Sequence, residues 1–311
     1  MNGISQQTAQ NILVVGDIVL DRYWFGGVSR ISPEAPVPVV LIKQVDDRLG
    51  GAANVADNIS ALGGNVSLMG VVGGDAAGKK IAELARQRNI ATHFSTDKNL
   101  TTTVKLRVLG NHQQLLRIDF EEGLDPAVVE HQFLMFDAAL PSAAIVVLSD
   151  YHEGALIEVG NMISKARMQG KIVLVDPKGN DYSRYAGASI VVPNRSELAR
   201  VVGAWHDEAD LAAKAQALRA ERHWEALLLT RSGEGMTLFT ENNVMHVPTQ
   251  MREVYDVSGA GDMVIATLAA MLAEHRPLQE AVALANRAAS IVAGKIGAAT
   301  ISRDELFQGL S

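Results

Sequence analysis

The 311-residue chain contains no cysteine. That excludes disulfides and thiolate-bound metals, and it accords with a reducing compartment. No stretch reaches the roughly 18 uninterrupted apolar residues of a membrane-spanning helix. The first ten residues, MNGISQQTAQ, lack the basic-then-apolar form of a secretory leader. Positive charge is in short supply, with 28 Lys and Arg against 35 Asp and Glu and a formal net charge of -7. That balance speaks against a nucleic-acid coat or an anionic membrane face as partner. Phosphates can still bind, but only where cations and backbone N–H groups are gathered locally. There is no internal repeat and no low-complexity tract. A cytoplasmic, soluble protein is expected.

What the chain does have is 48% apolar residues, 27 glycines and enough length for one large core. NILVVG is a short β-branched run ending in glycine, a buried-strand signal. Similar runs recur at NVSLMGVVG, AAIVVLSD, KIVLVDPKG, ASIVVPN and EALLLT. Between them, helical patterns cover 52–62, 77–88, 126–140, 154–168 and 208–222. Strands alternating with helices imply parallel pairing through right-handed crossovers. The expected fold is therefore α/β, a doubly wound, mostly parallel sheet with helices on both faces, forming a single unit over 1–311. Ligands belong beyond the carboxyl ends of such strands. Two regions without helix pattern, about 17–48 and 100–120, are expected to supply a small β-sheet lid.

DVSGAGDMVIATLAAMLA, residues 256–273, carries the first chemical signal. The helix pattern there is apolar nearly all round, so its start lies against a core. The first N–H groups of a helix lack internal partners and sit at the positive end of its dipole. Gly259, Ala260 and Gly261 let an anion approach those groups closely. Asp262, in the first turn, can accept a proton from a hydroxyl attacking a phosphoryl group. Complementing the dipole is the plainer use of that carboxylate.

LGGAANVADNI (49–59) is a second glycine-rich entry into a helix, with Gly50 and Gly51 followed by Asn54. PNRSE carries Asn194 and Glu197, which also read as a helix capping box. GGAANVA, the Asn-x-x-Glu of PNRSE, and DVSGAGD resemble, in order and spacing, the signatures of the ribokinase-like (PfkB-type) sugar kinases. The resemblance runs from VVGD to GKIGAAT. It implies Asp262 as catalytic base, with Gly259, Ala260 and Gly261 as the anion hole. It implies that Asn194 and Glu197 organise Mg²⁺ and its waters around the phosphates of ATP. The nucleotide side then includes Thr230, Ser232 and Gly235 of TRSGEG, with Lys178 of DPKG reaching phosphate. Pairing of Lys178 with Asp176 or Asp181 is the alternative. The chain departs from the family pattern at Met263 and Ser232. Asp256, Ser258 and residues near Gly297 occupy positions where some members hold K⁺.

GDIVLDRYWFGGVSRISPEAPVPVV (16–40) resembles the branch of the family that phosphorylates O1 of D-glycero-D-manno-heptose 7-phosphate in lipopolysaccharide core assembly. Sugar hydroxyls then fall to Asp17, Asp21 and Asn54, near Gly50 and Gly51. A phosphorylated sugar also needs cations. Strand alternation places Lys105 and Arg107 on one face of TVKLRV, to clamp that phosphate or to lie on a solvated edge. Tyr23, Trp24 and Phe25 leave a nucleoside as a rival acceptor, and a sugar-phosphate-binding regulator is a rival of another class. His152, after LSDY, reads as a polar loop residue rather than a base. A homodimer through the lid strands is expected. No adenylyltransferase signature of the His-x-Gly-His type is present, so a separate adenylyltransferase is expected to act in the same pathway.

Overall fold

The computed structural model describes residues 10–111, 113–249, 259–295 and 299–309. The chain opens with β1 (Ile12–Gly16), β2 (Ile18–Ile31) and β3 (Pro38–Gly51), then α1 (Ala52–Ala61), β4 (Val66–Gly73), α2 (Ala76–Gln87) and β5 (Ala91–Asp97). A hairpin, β6 (Val104–Gly110) and β7 (Gln113–Phe120), precedes α3 (Pro126–Ala139). Alternation resumes with β8 (Ile145–Ser149), α4 (Val159–Met168), β9 (Ile172–Asp176), β10 (Ile190–Val191), α5 (Arg195–Val202), α6 (Glu208–Glu221) and β11 (Ala226–Thr230). A second hairpin, β12 (Met236–Thr240) and β13 (Asn243–Val247), leads to α7 (Ala260–Ala273), α8 (Leu278–Val292) and α9 (Arg303–Phe307).

The large sheet has the order β13-β12-β11-β10-β9-β8-β1-β4-β5. Its strands pair in parallel from β5 to β11, and β12 alone is reversed, pairing antiparallel with both β11 and β13. Strand β1 explains why both faces are covered. Ile12 and Val14 join one buried cluster with α1, α2, α7 and α8, whereas Leu13 and Val15 join another with α3, α4, α5 and α6. All five residues of β1 are buried, as a strand packed on both faces must be. Because β1 lies between β4 and β8, the chain order reverses beside it, and a crevice opens there at the carboxyl ends.

The second sheet has the order β3-β2-β6-β7 and comes from the two regions expected to form the lid. Along β6, burial alternates strictly, with Val104, Leu106 and Val108 more buried than Lys105 and Arg107. By register, Asp21 pairs with Lys105 and Tyr23 with Arg107, so these four side chains share the face turned to the crevice.

Two elements differ from the sequence expectation. The helix expected from 154 begins only at Val159. Gly154 has φ 112, and the Ala155 N–H is drawn to the Asp17 carboxylate, so this segment forms a turn. Strand β5 carries no long apolar run, because it is an edge strand with much of its surface exposed. Among the described residues no helix is long and apolar enough to cross a membrane.

Candidate active site

Helix α7 starts at the crevice, where Gly259 and Asp262 line its wall. Gly259 is its N-cap in the left-handed conformation, φ 76, and offers no side-chain cap. A side chain there would meet the steric penalty of positive φ. The first intrahelical bond near this end runs from Met263 N to Gly259 O, 3.0 Å. The amides of Ala260, Gly261 and Asp262 thus precede the helical ladder, as an anion site requires. Three cavities meet at this helix end, of about 350, 150 and 180 Å³.

Asp262 is 5% exposed. Its Oδ2 accepts from Asn54 Nδ2 at 2.6 Å and its Oδ1 from the Tyr151 hydroxyl at 2.8 Å. Burial raises this carboxyl; the two hydrogen bonds oppose the rise, and it settles at about 6. A carboxylate so poised is ionised at neutral pH and still basic enough to take a proton.

The 180 Å³ cavity is bounded by the lid strands on one side and by α1 and Asp262 on the other. Asp21, Gly51, Asn54, Lys105 and Arg107 all line it, together with Tyr23 and Tyr151. Arg107 pairs with Asp21, and Lys105 Nζ lies 2.7 Å from Glu153. The two cations are therefore held inward by carboxylates rather than spread on a solvated edge. Gly50 lies behind Asp21, where a Cβ would stand only 2.5 Å from Asp21 Oδ2. Gly51, at φ 57, turns the chain into α1.

Asp17 takes a different position from the one expected. Its Oδ2 accepts the backbone N–H groups of Tyr151, at 2.8 Å, and Glu153, at 3.2 Å, and its Oδ1 that of Ala155 at 2.9 Å. Both oxygens are thus committed to the turn after β8, and the side chain is absent from the cavity lined by Asp21. Burial raises this carboxyl to about 6 despite those bonds.

The 150 Å³ cavity lies across Asp262 from the lid and is lined by Asp150, Asp176, Lys178, Asn194, Glu197 and Thr230, among others. The capping box is present: Asn194 Oδ1 accepts from Glu197 N at 3.0 Å, and Glu197 Oε2 from Asn194 N at 2.9 Å. Glu197 Oε1 accepts from Lys178 Nζ at 3.0 Å. Neither alternative partner holds this lysine; Asp181 caps the following turn through Ser183 N. Asp176, at the end of β9, is pushed well above the ordinary carboxylate range by burial and by the charges of Asp262 and Glu197. Tyr151 and Asp150 were not singled out by the sequence, and Asp176 only as a possible partner of Lys178, although each sits at or just beyond a strand's carboxyl end.

The largest cavity, 350 Å³, is lined by Thr230, Ser232, Ala260 and Gly261, with Asn286 and Ser290 of α8 opposite. Gly235 lies outside it, in the turn that leads into β12. His152 has φ 64 and donates its N–H to Asp150, and it lines none of the three cavities. Asp256, Ser258 and Gly297 lie outside the described residues.

This arrangement agrees with what the chain resembles. Residues 9–305 match the model of the pfkB family carbohydrate kinases. The chain is 51% identical over 295 residues to the D-beta-D-heptose 7-phosphate kinase of Bordetella bronchiseptica, covering 95% of this chain and 94% of that one. It is 50% identical over 301 residues to the bifunctional protein HldE of Shewanella baltica, and there it spans 96% of its own length but 63% of the relative's. Among solved structures, phosphofructokinase-2 from Escherichia coli superposes with a TM-score of 0.81 at 22% identity, covering 96% of this chain and 97% of that one. Arabidopsis thaliana ribokinase, complexed with ribose and ATP, gives 0.76 at 21%, with coverages of 96% and 98%. The likeness to these two shows the fold. The chain belongs to the pfkB family of carbohydrate kinases, and is a phosphotransferase whose acceptor is a sugar alcohol group.

Proposed function

We propose that the chain transfers the γ-phosphoryl group of ATP to O1 of D-glycero-D-manno-heptose 7-phosphate, a step of lipopolysaccharide core assembly in the cytoplasm. The carrying observation is Asp262 in the wall shared by the 180 and 150 Å³ cavities, with two cations lining the first of them from the lid. The sugar occupies the 180 Å³ cavity, where Asp21 and Asn54 accept and donate to its hydroxyls. Lys105 and Arg107 take its phosphate, Lys as a point charge and Arg by its fork. ATP places its base in the 350 Å³ cavity beside Thr230 and Ser232, and its phosphates toward Gly259, Ala260, Gly261 and Lys178. Asp262 removes the proton of O1 as that oxygen attacks phosphorus and ADP leaves, while the leading amides of α7 hold charge on the transferred group.

The residues fit Mg²⁺ held through water. Asn194 Oδ1 already accepts from Glu197 N and Ser196 Oγ, and both oxygens of Glu197 are engaged. Among the described residues no three His, Cys, Asp or Glu side chains are gathered as direct ligands. Yet Asp176 sits beside the negative charges of Glu197 and Asp262, which Lys178 offsets only in part and a hard cation bound to phosphates would relieve further. Asn194, Glu197 and Asp176 would hold its waters, and the ion would offset phosphate charge. Any K⁺ site would fall on Asp256, Ser258 and the residues near Gly297.

The nucleoside alternative is disfavoured by Tyr23. Its ring is already faced by the guanidinium groups of Arg48 at 4.8 Å and Arg107 at 5.2 Å. An ATP-consumption assay with heptose 7-phosphate, unphosphorylated heptose, fructose 6-phosphate, ribose and adenosine decides the acceptor. Heptose 7-phosphate is expected to lead in kcat/KM by at least about 100-fold, the scale of a desolvated charged contact. A comparable value for any other acceptor overturns the assignment.

The lid also offers an assembly surface. Val45, Leu116, Ile118 and Phe120 lie, by register, on the sheet face opposite Lys105 and Arg107, and all are exposed. An apolar row of this kind on an otherwise charged protein marks an interface. A homodimer joined through these strands is expected, and light scattering at micromolar concentration should return twice the chain mass. A monomeric mass contradicts it.

A further inference from the structure

Tyr151 borders both the sugar side and the phosphate side of the cleft, since it lines the 180 and the 150 Å³ cavities together with Gly259 and Asp262. Its hydroxyl donates to Asp262 Oδ1 at 2.8 Å. Two lysines from separate elements stand over its ring. Lys105, from the lid, lies 5.4 Å from the ring centroid, and Lys178, from the turn after β9, lies 5.9 Å away. Cations at such distances are attracted by the ring quadrupole.

The turn that carries Tyr151 is fastened with unusual expense. Asp17 and Asp150 are both 3% exposed. Asp17 takes the N–H of Tyr151 itself, and Asp150 takes that of His152 while also accepting from the Tyr185 hydroxyl. Tyr185 in turn bonds the backbone of Lys178. Burying carboxylates for the sake of one turn is costly, so the position of what the turn displays must matter.

We propose that Tyr151 is a positioning residue for the transfer, fixing the Asp262 carboxylate through its hydroxyl and spacing Lys105 and Lys178 through its ring. This rests on the reading of Asp262 as the base. With Oδ1 tied to Tyr151 and Oδ2 to Asn54, rotation of the carboxylate plane is opposed from both sides while the group still lines both cavities. The two lysines would serve two different phosphates, and the ring between them keeps one phosphate from claiming both. The charged groups that face this pair are Asp21 from β2, Lys105 and Arg107 from β6, Glu153 and Asp150 beside Tyr151, Asp176 and Lys178 from β9 and its turn, and Glu197 from α5.

The test compares Tyr151→Phe with Tyr151→Leu, with Asp262→Asn measured alongside. Tyr151→Phe keeps the ring and loses the hydroxyl. It is expected to lower kcat roughly 10- to 100-fold, the scale of a hydrogen bond to a charged group, with both KM values within about twofold. Its acid limb in the pH profile of kcat/KM should move upward, because a bond that favours the ionised carboxylate is gone. Tyr151→Leu should in addition raise KM for both ATP and the sugar phosphate. Calorimetric binding of each ligand to the Phe variant checks that the site is intact. Wild-type kcat and an unmoved acid limb in Tyr151→Phe, beside an inactive Asp262→Asn, would overturn the role of Tyr151 alone. Near-native turnover by Asp262→Asn would instead remove the base on which it rests.

Discussion

Asp262→Asn is expected to cut kcat roughly a hundred- to ten-thousand-fold, the range that general bases contribute. ATP and sugar-phosphate affinities should change little, because Asn fills the same volume and can still accept from Asn54. The wild-type enzyme should lose kcat/KM as pH falls through about 6, where Asp262 takes up its proton, and the Asn variant should show no such limb. The same substitution has a consequence for stability. The folded protein raises this carboxyl from 3.8 to about 6, so the native state binds the proton more tightly than the unfolded chain does. Ionising it therefore works against the fold: the penalty is absent below about 3.8, grows as pH rises, and is complete above about 6. It amounts to about 3 kcal/mol. Denaturant titrations at pH 8 should find Asp262→Asn more stable than the wild type by up to that amount. The difference should close at acid pH. A variant that turns over normally would remove Asp262 from its assigned role, whereas one less stable than the wild type at pH 8 would show that its hydrogen bonds outweigh the cost of ionising it.

The second large effect is expected at Arg107. Its ion pair with Asp21 is largely shielded, with the side chains 18% and 12% exposed. Removing one member of such a pair strands the other, so Arg107→Met should lose about 3 kcal/mol of stability. Its kcat/KM for heptose 7-phosphate should fall about 100-fold, as for a truncated desolvated charge. Stability and recognition can be separated by adding Asp21→Asn. The double variant no longer buries a lone carboxylate and should regain most of the lost stability, yet it should remain poor with the phosphorylated sugar. The diagnostic ratio is activity on heptose 7-phosphate over that on unphosphorylated heptose, which should collapse in both variants. An unchanged ratio would mean that the sugar's phosphate lies elsewhere.

Local sequence carried the features that depend on a few adjacent residues. The glycine entry at Gly259 into an apolar helix, the Asn194–Glu197 capping box and the alternation of Lys105 and Arg107 all appear where the pattern placed them. The strand-end aspartates were another matter. Asp17, Asp150 and Asp176 all stand at carboxyl ends of buried strands, and nothing local distinguishes them. Which way each points depends on the turn that follows and on what packs against it. Asp17 turned to backbone amides of a segment more than 130 residues away, while Asp176 was left facing the cleft. Tyr151 was hidden for the same reason, since its link to Asp262 spans 111 residues. The partner of Lys178 was also beyond local inspection, because Glu197 reaches it from a separate helix.

The cleft is divided by origin. Groups on the acceptor side come mostly from β2, β6 and the start of α1, whereas those on the donor side come from turns of the large sheet and from α7 and α8. Among the described residues, only Tyr151, Gly259 and Asp262 belong to both the acceptor cavity and the one beside it. Such a division lets evolution rewrite two hairpins to accept a new sugar while the triphosphate machinery stays as it was. Changing the nucleotide would demand alterations scattered over half the molecule. Diversification within this scaffold should accordingly have been frequent in what is phosphorylated and rare in what phosphorylates it.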